Sequence, residues 1–366
     1  MKMAGKFKKV TRGMLVFLAI VSVGIWFKPA DEYSDSERRE LALFPEISIE
    51  NVLSGRFMSD FEAYVTDQFP FRNEWRQVKA WLSGSVLGQT DQNGYYMAEG
   101  HISKMEYPLK EDSVQRAIDR MHYIYDKYIK DVNANVYYSI IPDKNYVLAK
   151  EHGYLAMDYE KLFGMLDSDF GSMEKIDILH LLTLDDYYTT DLHWRQENLL
   201  DVADTLLEGM GQDAKASYEL KKLEVPFYGV YASQSAYDVD GDAMYYWMND
   251  SLEQCVVYNY ETNQTTTVYN MEKANGKDPY EMFLSGSVSL LSMENPDAAT
   301  DQQLIVFRDS FGSSIGPLFA EAYEKVMFVD IRYIHPDLLG KYVDFENADV
   351  LFLYSTSVLN NGDTFK

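Results

Sequence analysis

Two hydrophobic periods alternate along this chain. Over residues 111–131, Val114, Ile118, Met121, Ile124, Tyr125 and Tyr128 recur every three or four positions, which predicts an amphipathic helix. Residues 134–141 (ANVYYSII) follow as a continuous β-rich run closed by Pro142, the pattern of a strand buried on both faces. Residues 157–166 predict a helix and 176–182 a short buried segment. Residues 198–210 predict a helix stopped by Gly211. A second buried strand is expected at 304–307 (LIVF), then a helix at about 314–323 and strands at 325–330 and 349–354. That succession predicts a parallel α/β sheet.

The flanking regions read differently. In 49–87, Phe57, Phe61, Tyr64 and Val65, then Trp75, Val78, Trp81 and Leu82, lie at helical spacing on either side of a Phe69-Pro70-Phe71 break. Residues 92–107 carry an Asn93-Gly94 turn and aromatic alternation, the pattern of a hairpin. Residues 217–280, with short Tyr/Val/Thr-rich segments and turns at Asp240-Gly241 and Asn275-Gly276, predict a β-rich insertion. Residues 31–48 are polar, then proline-punctuated, and read as a linker that begins to dock near Leu41.

Residues 13–27 (GMLVFLAIVSVGIWF) hold no charge and follow five basic residues. Ala30 has Lys28 three positions before it, a poor cleavage signal, so the segment reads as an uncleaved signal anchor. The basic flank places residues 1–12 in the cytoplasm, making residues 1–30 a tail and single-pass anchor in the cell membrane. The remainder is expected outside the cytoplasm.

Charge sharpens this picture. The formal net charge is −25. Six of the 33 Lys and Arg lie within residues 1–30, which hold no acid, so residues 31–366 carry 27 basic groups against 58 acidic ones. Such a body repels polyphosphate, which excludes a nucleic-acid partner. The only cysteine, Cys255, permits no intramolecular disulfide and lies in a strand-like EQCVVYNY run.

Two segments could carry chemistry. In Thr190-Asp191-Leu192-His193-Trp194, an extended backbone puts residues i and i+2 on one side, so Asp191 can hold one ring nitrogen of His193 and leave the other free. In Arg308-Asp309-Ser310-Phe311-Gly312-Ser313-Ser314, a serine follows a buried strand, where open α/β sheets place ligands, and a helix N-terminus lies just beyond. Each segment also has a plain reading, a turn with a packed Trp or a set of N-cap residues. With six His, one Cys and no HxxxH or CxxC spacing, no metal centre is expected. Asp238-Val239-Asp240-Gly241-Asp242 lacks the spacing and distal Glu of a calcium loop.

At these segments the chain resembles the DHHW proteins, relatives of the alginate O-acetylation proteins AlgJ and AlgX in the SGNH-hydrolase superfamily. The resemblance extends through SERRELALFPEIS, FMSDFEAYVTDQFPFR, the Asn93–Tyr96 NGYY, IPDK ending at Lys144, TTDLHW and PFYGVY at 226–231. It continues through FLSGS at 283–287, IVFRDSFGSSIGPLF, VDIRY at 329–333 and LFLYSTSVLN. It implies an SGNH-hydrolase-like three-layer α/β domain over 49–366, with its motifs in circularly permuted order. It also implies a triad of Asp191 as orienter, His193 as general base and Ser310 as nucleophile. Asp309, Trp194, Gly286, Ser287 and Arg332 fall at positions implied to shape the oxyanion or substrate site, although Arg332 suits a surface salt bridge equally well.

Three departures stand out. The family's Asp-His-His-Trp is Asp-Leu-His-Trp here, Gly-Asp-Ser is Arg308-Asp309-Ser310, and a Gly-Gly-Asn-like segment reads Ser285-Gly286-Ser287. The oxyanion hole would then rest on the N–H groups of Ser310 and Gly286 or on the Ser287 hydroxyl. The implied activity is transfer of acetyl groups to a cell-surface or exported polysaccharide. No cofactor is expected, because a multi-pass membrane O-acyltransferase partner supplies the acetyl donor. A carbohydrate acetylesterase and a catalytically silent polysaccharide-binding scaffold are the alternatives.

Overall fold

In the computed structural model, the described residues are 11–13, 15, 16, 24, 29–34, 37, 39–212 and 216–366. The chain divides into two compact units, Met1–Asn93 with Ala232–Asp238, and Gly94–Tyr231 with Val239–Lys366. No helix among the described residues is long and apolar enough to cross a membrane. The expected anchor lies outside the described residues except at Gly13, Leu15, Val16 and Gly24.

In the first unit, β1 (Tyr33–Ser34) pairs antiparallel with β2 (Arg39–Glu40), within the segment read as a linker. Arg39 forks onto Asp67 at 2.8 and 2.5 Å, and the Ala42 N–H donates to the same carboxylate at 2.9 Å. These bonds tie the segment to the helix Arg56–Asp67. In the helix Arg72–Trp81, Arg72 and Arg76 turn toward Glu37. Helical spacing puts Val78, Trp81 and Leu82 on the opposite side, and there they stand exposed instead of forming a core stripe.

The second unit opens with the expected hairpin, β3 (Tyr95–Ala98) against β4 (His101–Lys104). Its turn is Glu99-Gly100, both at positive φ, as a two-residue turn of this hand requires. The chain then adds β5 (Asn135–Ile141) and β6 (Glu174–Lys175), followed by β7 (Glu219–Lys222) and β8 (Tyr245–Met248), which pair as a separate antiparallel ribbon. β9 (Val256–Asn259), β10 (Gln264–Thr266), β11 (Leu290–Glu294), β12 (Gln303–Arg308), β13 (Lys325–Val329) and β14 (Ala348–Ser355) complete the set. The eight-stranded sheet runs β10-β9-β11-β13-β12-β14-β5-β6. From β13 to β6 every pairing is parallel, and β11, β9 and β10 extend the edge in antiparallel fashion. Part of the region read as an insertion thus belongs to the main sheet. Asn275-Gly276 ends the short helix Met271–Ala274 and is not a strand turn.

Period-2 alternation sorts the strands onto two cores. Leu304 and Val306 of β12, Leu351 and Leu353 of β14, and Val326 and Phe328 of β13 meet Val202, Leu206 and Leu207 of the helix Leu200–Gly209 and Phe311, Ile315 and Phe319 beyond β12. Ile305 and Phe307, Val350 and Phe352, and Met327 and Val329 point the other way. They meet Val114, Ile118 and Met121 of the helix Glu111–Ile124 and Leu162 and Leu166 of the helix Tyr159–Asp169. Because both faces are covered, the central strands read as unbroken apolar runs. At about 25 cal/mol per Å² of apolar burial, such strands hold the carboxyl ends of β5, β12, β13 and β14 in fixed relation. The candidate site stands on those ends.

Candidate active site

β12 ends at Arg308, and the turn Asp309-Ser310 leads directly into the helix Phe311–Ile315. The helix starts earlier than the expected residue 314 because the Asp309 side chain accepts the Phe311 N–H at 2.9 Å. The other carboxylate oxygen of Asp309 accepts from the N–H of Ser355, at 2.8 Å, and from its hydroxyl, at 2.7 Å. Asp309 is fully buried and binds the ends of β12 and β14 together under Ser310. Both of its carboxylate oxygens are taken up by these bonds. Gly312 lets the first helical turn lie on Arg308, since a Cβ there would come within 2.6 Å of the Arg308 Cβ.

Ser310 and His193, 117 residues apart in sequence, come together with Asp191. The Ser310 Oγ lies 2.7 Å from His193 Nε2, and His193 Nδ1 lies 2.5 Å from Asp191 Oδ1. A carboxylate only accepts, so Nδ1 carries the proton and Nε2 is left to accept from the serine hydroxyl. Asp191 Oδ1 also receives the His193 N–H at 3.1 Å, and Oδ2 receives the Val230 N–H at 2.7 Å. The i, i+2 relation read from the sequence is thus the one observed. This arrangement can deprotonate a serine as it attacks a carbonyl.

The segment carrying Asp191 and His193 is short on regular structure and is fixed instead by side chains. Asp242 accepts the N–H and hydroxyl of Thr189, at 2.9 and 2.7 Å, and those of Thr190, at 2.9 and 2.6 Å. Trp194, expected at the substrate, is completely buried. Its indole N–H lies 3.1 Å from Phe311 O and 2.9 Å from Ser314 Oγ, which joins the histidine segment to the serine helix. Gln196 adds a bond to Ser314 O at 2.6 Å.

Tyr280 escaped the sequence reading. Its ring stacks on the His193 imidazole at 3.9 Å between centroids and 10° between planes, and its hydroxyl lies 2.9 Å from Ser314 Oγ. Burial and the Asp191 and Asp309 charges push the phenol far above its ordinary range, so it stays a neutral donor. Only its position in an aromatic stretch before FLSGS hinted at it, and separation along the chain hid the contact.

The expected oxyanion donors are only partly available. The Ser310 N–H is not used by the turn, whereas the Gly286 N–H donates to Phe283 O at 3.0 Å and Ser287 is exposed. Leu284, Ser285 and Gly286 all lie at positive φ, an uncommon run for two non-glycine residues. Arg308 stands where the family pattern has Gly. Its guanidinium is fully buried and bonds Ser313 Oγ at 2.9 Å and both Asp309 O and Gly286 O at 3.3 Å. Burial lowers its pKa and the nearby Asp330 opposes that. The arginine therefore clamps the strained loop to the serine turn. Arg332 is forked onto buried Asp330 at 2.9 and 2.6 Å, which gives the salt-bridge reading a concrete partner. No group of three or more potential metal ligands occurs among the described residues.

No protein-family model and no curated protein matches the sequence. Solved structures do match. A DHHW family protein from Eubacterium siraeum aligns with a TM-score of 0.61 at 19% identity, over 75% of this chain and 94% of that one. Bacillus cereus PatB1 aligns with a TM-score of 0.61 at 16% identity, over 74% and 98%. The O-acetyltransferase domain of Pseudomonas putida AlgJ aligns with a TM-score of 0.44 at 13% identity, over 73% and 92%. The chain therefore has the mixed α/β fold of a DHHW family protein and of PatB1.

Proposed function

We propose that this chain is a DHHW-type, membrane-anchored O-acetyltransferase that modifies an extracytoplasmic polysaccharide through an acyl-enzyme at Ser310. The observation that carries the reading is the continuous Ser310–His193–Asp191 chain of short hydrogen bonds at the carboxyl end of a parallel strand. In the first half-reaction Ser310 Oγ attacks the acetyl carbonyl of a donor as its proton passes to His193 Nε2. The tetrahedral intermediate collapses, and the donor's oxygen leaves with that proton. In the second half-reaction a sugar hydroxyl attacks the acetyl-serine, gives its proton to His193, and Ser310 leaves reprotonated. Asp191 holds the ring and balances the imidazolium throughout. The Ser310 N–H supports the developing oxyanion.

The anchor read from residues 13–27 would hold the domain beside a membrane acyltransferase that delivers the acetyl group. PatB1, which shares the fold, is also solved with a sulfonyl adduct. Sulfonylating reagents capture activated nucleophiles, so the same reagent class suits Ser310. The test is Ser310→Ala in cells that make the polymer. Loss of polymer acetylation with normal protein levels supports the reading, and full acetylation overturns it.

A second reading has one observation in its favour. With the Gly286 N–H spent on Phe283 O, the oxyanion hole has fewer donors than the family pattern implies, which suits a silent polysaccharide-binding scaffold. Stoichiometric sulfonylation of Ser310 in the purified chain would refute the scaffold. An acetylesterase would use the same triad with water as acceptor, and acetate release from a chromogenic ester unaffected by added oligosaccharide would favour it.

A further inference from the structure

Two sequence motifs without a role so far, IPDK and PFYGVY, converge behind Asp191. From the second, Val230 donates its N–H to Asp191 Oδ2 at 2.7 Å, and Gly229 donates to Thr190 Oγ1 at 2.9 Å. A Cβ on Gly229 would run into the Asp191 main chain and Cβ, so the PFYGVY segment lies directly on the acid. From the first motif, Lys144 opens the helix Lys144–His152 just past β5. Its side chain is 1% exposed, and its Nζ donates to Tyr188 O at 2.9 Å and Thr189 O at 3.4 Å. The same ammonium lies 5.0 Å from the centre of the Tyr231 ring.

No carboxylate forms a salt bridge with Lys144 among the described residues. The acids that act on it are Asp191 and Asp242, both through space. Tyr231, through its ring, and His101 also lie close to it, and Asp143 precedes it as the cap of its helix. A charge buried without a bonded counter-ion is expensive, and this one is stabilised by two carbonyls, a ring face and the field of the triad acid. Burial brings the amine down to about 7, against the raising effects of Asp191 and Asp242.

We propose that Lys144 is a positioning residue for the Asp191–His193 pair, tying the Tyr188-Thr189 backbone to the end of β5 and holding a positive charge behind the triad acid. The proposal rests on the acyl-transfer reading of Ser310. Removing it frees the Tyr188-Thr189 backbone just ahead of Asp191, so the loss falls on the chemical step and not on substrate binding.

The test compares Lys144→Gln, which keeps a donor and loses the charge, with Lys144→Arg, which keeps the charge. Both are made in the full chain and assayed on an acetylated chromogenic ester across pH. Lys144→Gln is expected to lower kcat by about 10-fold to 100-fold, a loss of the size that misplaced catalytic groups produce, with KM changed less than about twofold. Lys144→Arg, which keeps the charge and the donors, is expected to recover most of that kcat. A Lys144→Gln profile that overlays the unsubstituted one, or a loss that simply follows the fraction of folded protein, overturns the proposal.

A second measurement leaves Lys144 in place. The nitrogen NMR signal of Lys144 Nζ should titrate at lower pH in Asp191→Asn than in the unsubstituted chain, and an unchanged titration overturns the proposal. If Ser310→Ala retains full esterase activity, the acyl-transfer reading fails first. If Ser310→Ala is inactive and Lys144→Gln is normal, only the role of Lys144 fails.

Discussion

Removing the Asp309 carboxylate tests the claim that Ser310 is presented by a strand-end knot. In Asp309→Ala the Phe311 N–H and the Ser355 N–H lose their acceptor inside the protein. The Ser355 hydroxyl loses one too, although it can turn to Ser357 Oγ at 3.1 Å. Two buried N–H groups left unpaired cost about 1–3 kcal/mol each, so with a partial loss at the hydroxyl the variant should lose about 3–5 kcal/mol. Asp309→Asn retains one acceptor and sets its NH2 against the other donor, so about half of that loss is expected. Urea unfolding gives the stability, and the rate of Ser310 sulfonylation in the folded fraction gives the geometry. Ser355→Ala combined with Asp309→Ala should cost less than the two changes summed, since both delete the bond from the Ser355 hydroxyl to Asp309. An Asp309→Ala variant within about 1 kcal/mol of the unsubstituted chain would refute the reasoning, because no buried donors are then at stake.

Two further outcomes follow from close contacts and burial. Gly229→Ala places a methyl group against the Asp191 main chain, which cannot yield like a flexible side chain, so kcat should fall about 100-fold with the fold retained. Full activity by ester hydrolysis would contradict the packing. Asp143 is pushed up to about 6, first by burial and then by Glu106. A folded-state pKa above the unfolded one makes that contribution to stability complete below the ordinary carboxyl range and lost as pH rises through about 6. The loss is about 3 kcal/mol for a shift of this size. Asp143→Asn should flatten that part of the stability profile measured by urea unfolding, and an unchanged slope would refute it.

The sheet was largely legible because a strand buried on both faces leaves a plain signature. Residues 134–141 and 304–307 read as strands for that reason, and β5 and β12 occupy them. β11 (LLSME) was missed, as its serine and short length blur the apolar run. The helix Lys144–His152 was missed because it follows Pro142 with weak amphipathicity, carrying buried Lys144 and Asn145 at its start. Asp191 and His193 were readable as a pair from their spacing alone. Their meeting with Ser310 was not, since nothing in spacing encodes a contact 117 residues apart. Trp194 shows the limit of reading by resemblance. The resemblance put it at the oxyanion or substrate site, yet its indole N–H bridges two segments in the interior, as the plain reading of a turn with a packed Trp has it. Arg308 illustrates the converse, a departure from the family pattern that looked damaging and proves to be bonded on both sides of the serine turn.

The central claim is that Ser310 becomes acetylated. The direct measurement is peptide mass spectrometry of the full chain, acid-quenched during turnover of a chromogenic acetyl ester. The account predicts one acetyl group on the peptide containing Ser310, discharged by added acceptor oligosaccharide and absent from Ser310→Ala. Turnover that proceeds with no acetyl group on that serine, or with the same rate in Ser310→Ala, would contradict it.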